Sequence, residues 1–93
     1  MNIEKVTAAL DSRLRRDIMI ILAKEPKSVA EVTKELAALG RVVKYRESVY
    51  RGLEKLVDAG LVDKYYYRQK GIGYKLVVKR IQINLADGTL ESE

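Results

Sequence analysis

Leu53-Glu54-Lys55-Leu56-Val57-Asp58-Ala59-Gly60-Leu61-Val62 is the stretch on which the fold turns. Val49, Leu53 and Leu56 repeat at intervals of four and three, so they line one side of a helix. Gly60 supplies its stop. The pattern then changes. Leu61 to Arg68 holds Leu, Val and three consecutive tyrosines, and Tyr74 to Arg80 holds Leu and two valines. Both have strand composition. Between them Gln69-Lys70-Gly71-Ile72-Gly73 is turn material. The reading is a helix over about 44–59 followed by a two-stranded hairpin. Gly52 inside that helix costs roughly 1 kcal/mol against alanine, and a tight helix crossing accounts for it.

Toward the N-terminus, Val29, Val32, Leu36 and Leu39 recur at three, four and three. Ser28 and Glu31 have the spacing of a capping box, and Gly40 closes the segment. Leu14, Ile18, Ile21 and Leu22 behind Asp11-Ser12 predict a helix over about 12–24, ended by Pro26. Ile3, Val6, Ala9 and Leu10 predict an earlier one. Toward the C-terminus, Ile81, Ile83 and Leu85 alternate with Gln82 and Asn84. The second strand either runs on to about residue 84 or bends away to pack on another subunit. Residues 86–93 read as a short, acidic, weakly structured tail. Residues 1–85 thus form one α+β, mostly α, domain. Three to four helices followed by a two-stranded β-hairpin wing give the order of a winged helix-turn-helix.

The chain of 93 residues carries a net charge of +5, and the excess is local. Residues 41–80 carry +7, whereas residues 81–93 carry −3. Such asymmetry suits a polyanionic partner. Cysteine and histidine are both absent. Disulfides, thiolate metal sites and the usual covalent and imidazole catalysis go with them. The carboxylate pairs Asp11 with Asp17 and Glu54 with Asp58 lack a nucleophile. No catalytic residue, metal or cofactor is expected, and no small-molecule effector is marked. The longest run without a polar residue, Ile18 to Ala23, is too short to span a bilayer. The N-terminal residues lack a signal-peptide pattern. The expectation is a cytoplasmic protein without a membrane partner.

The run from Leu53 to Val62 resembles the end of the recognition helix in ArsR-like and related winged-helix transcription regulators. Asp11-Ser12-Arg13-Leu14-Arg15-Arg16-Asp17-Ile18 resembles the opening of their second helix. Ser28-Val29-Ala30-Glu31-Val32-Thr33-Lys34-Glu35-Leu36 resembles the helix before recognition. The resemblance covers about residues 5–80. It implies a member without the Cys and His sites of the metal-sensing proteins. Gly40-Arg41-Val42-Val43-Lys44-Tyr45-Arg46-Glu47 is longer and more basic than the Ser/Thr-rich entry to recognition that the resemblance leads one to expect.

Residues opposite Val49, Leu53 and Leu56 are Glu47, Ser48, Arg51, Glu54 and Lys55. The resemblance assigns base reading to the first half of the helix, hence to Arg46, Glu47, Ser48, Tyr50 and Arg51. Arg51 suits a guanine O6/N7 pair or a phosphate. Glu47 suits a cytosine amine or restrains Arg51 four residues on. Arg41, Lys44 and Arg46 suit flanking phosphates, and Arg68, Lys70 and Lys75, with Lys64 beside them, make the wing basic. Ile3, Val6, Leu10, Ile81, Ile83 and Leu85 supply apolar surface for a homodimer. Alternation sends Tyr65 and Tyr67 to one strand face and Tyr66 to the other. The expected function is a dimeric, sequence-specific regulator, most simply a repressor, that binds double-stranded DNA with helix 44–59 and wing 68–75. The alternatives are a protein-interaction module of the same fold and a non-specific architectural DNA binder.

Overall fold

The computed structural model describes every residue except Val42 and Lys70. Side-chain caps set the first three helix starts. Helix α1 (Ile3–Leu10) begins where the Asn2 side chain accepts the Lys5 amide, and α2 (Arg13–Lys24) where Ser12 accepts that of Arg15. Helix α3 (Val29–Ala38) opens on the full capping box. Ser28 Oγ accepts the Glu31 amide at 3.2 Å while Glu31 Oε1 accepts the Ser28 amide at 3.0 Å. Arg15 and Arg16 reach back to the carbonyls of Ala8, Ala9 and Leu10, at 2.6 to 2.9 Å. They place cations on the negative end of α1 and fix the turn between the first two helices.

Helix α4 (Arg46–Asp58) follows, and its apolar stripe of Val49, Leu53 and Leu56 is fully buried against α2 and α3. It starts two residues later than expected. Tyr45 stands at the N-cap in extended conformation, 62% exposed, off the core stripe. Gly52 marks the crossing with α2: a Cβ there would lie 3.2 Å from Ile18 Cδ1.

Strands β1 (Val62–Tyr67) and β2 (Gly71–Leu76) pair antiparallel, with Val62 opposite Leu76 and Tyr67 opposite Gly71. Lys27, just beyond Pro26, adds a one-residue third strand at the other edge of β2. Its amide donates to the Tyr74 carbonyl at 3.0 Å, and the Tyr74 amide donates back at 2.8 Å. The core lies between the helices and the base of this sheet, and Tyr74 is its largest fully buried side chain.

The C-terminal part departs from expectation. The second strand does not run on to residue 84; β2 ends at Leu76, and the chain then forms a second antiparallel hairpin of β3 (Ile81–Asn84) and β4 (Thr89–Ser92). Residues 86–93 are therefore not a loose tail. The turn is built by side chains. Asn84 Oδ1 accepts the amides of Ala86 and Asp87, and Asp87 Oδ1 accepts both the amide and the hydroxyl of Thr89. Glu93 closes the ladder against Arg80. This hairpin packs mainly on itself, with Ile81 and Leu90 reaching the core, and it extends the molecule to 43 Å along its longest axis.

Replacing Gly52 by valine forces extra methyl groups into the crossing with Ile18. Thermal unfolding is expected to show a loss of about 1–3 kcal/mol for Gly52→Val. Gly52→Ala is expected to stay within about 1 kcal/mol of the parent, because the helical gain offsets a small shift of Ile18.

Candidate nucleic-acid interface

Helix α4 presents Arg46, Glu47, Ser48, Tyr50, Arg51 and Lys55 to solvent. Its three carboxylates each have a cationic partner. Arg51 Nη2 donates to Glu47 Oε1 at 2.9 Å within the helix, Lys64 Nζ on β1 to Glu54 at 3.1 Å, and Lys5 Nζ on α1 to Asp58 at 3.3 Å. Among the described residues, no carboxylate lies within ion-pair distance of Lys44, Arg46 or Lys55. The helix therefore shows an anion cationic groups without a competing carboxylate, although its own sequence is mixed in charge. Lys44 Nζ sits 5.4 Å from the Tyr45 ring. Tyr45 makes no side-chain capping bond, so no side chain at the N-cap competes with a phosphate for the positive end of the helix.

The wing is held beside α4 by one acceptor. Glu54 Oε2 takes the Tyr74 hydroxyl at 3.0 Å while its Oε1 takes Lys64. Burial, then the bond to Glu54, raises the Tyr74 phenol well above its ordinary value. Lys64 Nζ also lies 6.0 Å from the Tyr50 ring. On the opposite sheet face the Tyr65 and Tyr67 rings meet edge to face at 4.5 Å, with their hydroxyls bonded to each other, and Tyr67 lies over the bare Cα of Gly73. Tyr66 points the other way and is exposed. Arg68 and Lys75 are exposed on the hairpin, and Lys70 lies outside the described residues.

Two sequence assignments change on inspection of contacts. Arg41 is a tether: its Nε donates to Asp17 Oδ2 at 2.7 Å, with both side chains about three-quarters buried, so it ties the entry to α4 onto α2. Val6 is fully buried in the core and offers nothing to a second subunit. Ile3, Leu10, Ile81 and Ile83 are half-buried, and Leu85 is 90% exposed. Sequence reasoning missed Lys27. The residue is 6% exposed, and its ammonium meets Glu25 at 2.9 Å and Glu35 at 3.5 Å. Those carboxylates, Glu25 foremost, hold it charged and raise its pKa. Lys27 follows Pro26 in a segment that lacks strand composition, so only tertiary pairing reveals it. Among the described residues no three Asp or Glu side chains gather as metal ligands, and no helix is long and apolar enough to cross a membrane.

No family model matches the chain. It is 41% identical over 63 residues to an uncharacterised HTH-type transcriptional regulator of Methanocaldococcus jannaschii, covering 68% of this chain and 60% of that protein. The chain thus spans about three fifths of that relative's length. Among solved structures it is similar to RosR in the RosR-S4 complex, with a TM-score of 0.65 and 25% identity over 76% of this chain and 63% of that one. It is also similar to the Vibrio cholerae ferric uptake regulator, Fur, with a TM-score of 0.67 and 21% identity over 97% and 74%. The similarity runs to regulators rather than enzymes, and the fold is a winged helix-turn-helix.

Tyr74→Phe removes the hydroxyl that joins wing to helix. Urea unfolding at pH 7 is expected to show a loss of about 1.5 kcal/mol. The pH dependence has a definite sign. The folded pKa of Tyr74 lies above its ordinary value of 10.0, so its contribution is complete below that value and is lost as the pH rises through the folded one. Stability measured at rising pH should fall beyond about pH 10, and less steeply for Tyr74→Phe, with Lys27 and Tyr65 accounting for the rest.

Proposed function

We propose that the chain is the DNA-binding part of a transcription regulator, with α4 entering the major groove and the wing touching the neighbouring backbone or minor groove. One observation carries the reading: every carboxylate of α4 is paired, and the cations Lys44, Arg46 and Lys55 lie without a carboxylate partner beside a basic wing. The similarity to a regulator of 41% identity supports it. Double-stranded DNA is the partner and the compartment is the one that holds it, the cytoplasm.

The Glu47–Arg51 pair refines the reading. The exposed i,i+4 bond biases the guanidinium toward one orientation and leaves other N–H groups for a guanine edge. Glu47 also repels phosphate, which discourages Arg51 from settling on the backbone. That arrangement supports sequence-specific over architectural binding. Self-association completes it. A groove lined by apolar side chains that include Leu10, Met19, Ala23, Val78 and the 60% exposed Ile20, and edged by Arg16 and Lys79, lies between α2 and the segment after β2. A second copy covering it yields a two-fold dimer with two reading helices and a palindromic site. Occlusion of a promoter by such a dimer is repression. The ArsR-like assignment within the winged-helix regulators rests on the Leu53 to Val62 run.

Fluorescence anisotropy with a 30-base-pair duplex across a salt series tests the reading. Binding is expected to weaken with a log–log slope of about −3 to −6, as several released counterions require; absence of binding at low salt contradicts it. Glu47→Gln is expected to bind mixed-sequence DNA several-fold more tightly, by about threefold to tenfold, while selecting sites less sharply from a random library. Ile20→Glu is expected to shift sedimentation toward the monomer.

A further inference from the structure

Helices α1, α2 and α3 each begin at a capping side chain; α4 does not, since Tyr45 at its N-cap makes no side-chain capping bond. The start of α4 is therefore placed by contacts from elsewhere, and Arg41 makes two of them. Its amide donates to the Leu36 carbonyl at 3.0 Å, beside the Gly40 amide, which donates to that of Ala37 at 3.0 Å with Gly40 at a φ of +82°. These bonds are a Schellman closure of α3. Its Nε meets Asp17 Oδ2 of α2 at 2.7 Å, the short length of a charge-assisted bond. Both side chains are about three-quarters buried, so water screens this pair less than the exposed Glu47–Arg51 pair. Arg41 thus joins the end of α3, the middle of α2 and the entry to α4. Lys44 and Arg46 follow it closely in the chain, and both are exposed.

We propose that Asp17 and Arg41 are positioning residues for DNA binding: their ion pair holds the entry to α4 so that Lys44 and Arg46 are in place before DNA arrives. The proposal rests on the DNA-binding reading and adds to it a carboxylate that raises affinity for a polyanion without touching it. Charge alone argues the opposite. Removing Asp17 raises the net charge by one unit from +5 and frees a guanidinium, and electrostatics by itself would then strengthen binding. Position outweighs charge because the entry has no cap of its own. Once untethered it samples arrangements in which the two cations stand elsewhere. Apparent affinity then falls in proportion to the fraction of molecules that hold the competent arrangement. Val43 also packs against the core, so the entry is loosened rather than released, and the loss is several-fold rather than complete.

The sign of one affinity change is the test. Asp17→Ala keeps the helical propensity of α2, and melting curves verify that it folds. Its affinity for a 30-base-pair duplex is expected to fall about fivefold at every salt concentration. The log–log salt slope should stay that of the parent, since no phosphate contact is lost. Arg41→Gln is expected to lose the same factor and the double variant no more, as two residues acting through one bond require. Tighter binding by Asp17→Ala overturns the proposal. So does unchanged affinity in the folded variant, which leaves the pair a stabiliser of the fold alone. A slope lowered by about one in Arg41→Gln overturns it as well, because Arg41 then contacts phosphate. Should the variants melt early, the parent protein decides. The Arg41 Nε–H resonance is expected to keep its chemical shift as duplex is added, and a shift that moves with DNA contradicts the tether. Failure of the parent protein to bind duplex at low salt is the separate result that removes the underlying reading.

Discussion

The hydrogen bond from Tyr74 to Glu54 is the constraint on which the rest of the arrangement depends. Tyr74 is fully buried, so its hydroxyl requires an acceptor, and the one it finds is on α4. Its backbone is paired twice with Lys27, which fixes the chain entering α3. Its cross-strand neighbour is Lys64, which reaches the same Glu54. One residue thus sets three relations at once: wing to α4, wing to the start of α3, and cation to carboxylate. A hairpin is marginal alone in water. Here it is held by a polar network whose members satisfy one another, and such a network specifies one geometry rather than a range of them.

That geometry explains how a helix of mixed charge shows a basic face. Glu54 and Asp58 are drawn to cations of other elements, and Glu47 to Arg51 in its own next turn. Surface pairs of this kind add little stability. Their consequence is electrostatic and local: they remove carboxylates from competition and leave Lys44 and Arg46 at the positive end of α4. The same logic withdraws Arg41, which spends its charge on Asp17 and so anchors the entry segment that precedes the helix.

Much of the fold was legible because its signals are local. Ser28 and Glu31 announced α3, Ser12 announced α2, and the stripe of Val49, Leu53 and Leu56 announced α4. Gly52 was correctly read as a close helix crossing, and the tyrosines alternate as their positions require. What escaped was set by contacts distant in sequence. Lys27 joins the sheet only because Tyr74 lies beside it. Tyr45 has helical spacing to Val49 yet sits exposed at the N-cap of α4. The C-terminal hairpin was hidden by its acidic, polar composition, although Asn84, Asp87 and Gly88 are residue types that build turns, as they do here. For the interface, residue type was legible but partnership was not. Arg41, Arg46 and Arg51 look alike in the sequence and hold three different positions in the structure.

The central claim is that the exposed side of α4 and the basic wing form one surface for duplex DNA. Amide chemical-shift mapping of the labelled protein, titrated with a duplex at moderate salt, tests it most directly. The account predicts that shifts cluster on Arg46, Ser48, Tyr50 and Arg51 of α4 and on Arg68 and Lys75 of the wing, with α3 and the β3–β4 hairpin unmoved. Shifts centred on the β3–β4 hairpin or on α3, with the α4 amides unchanged, would contradict it.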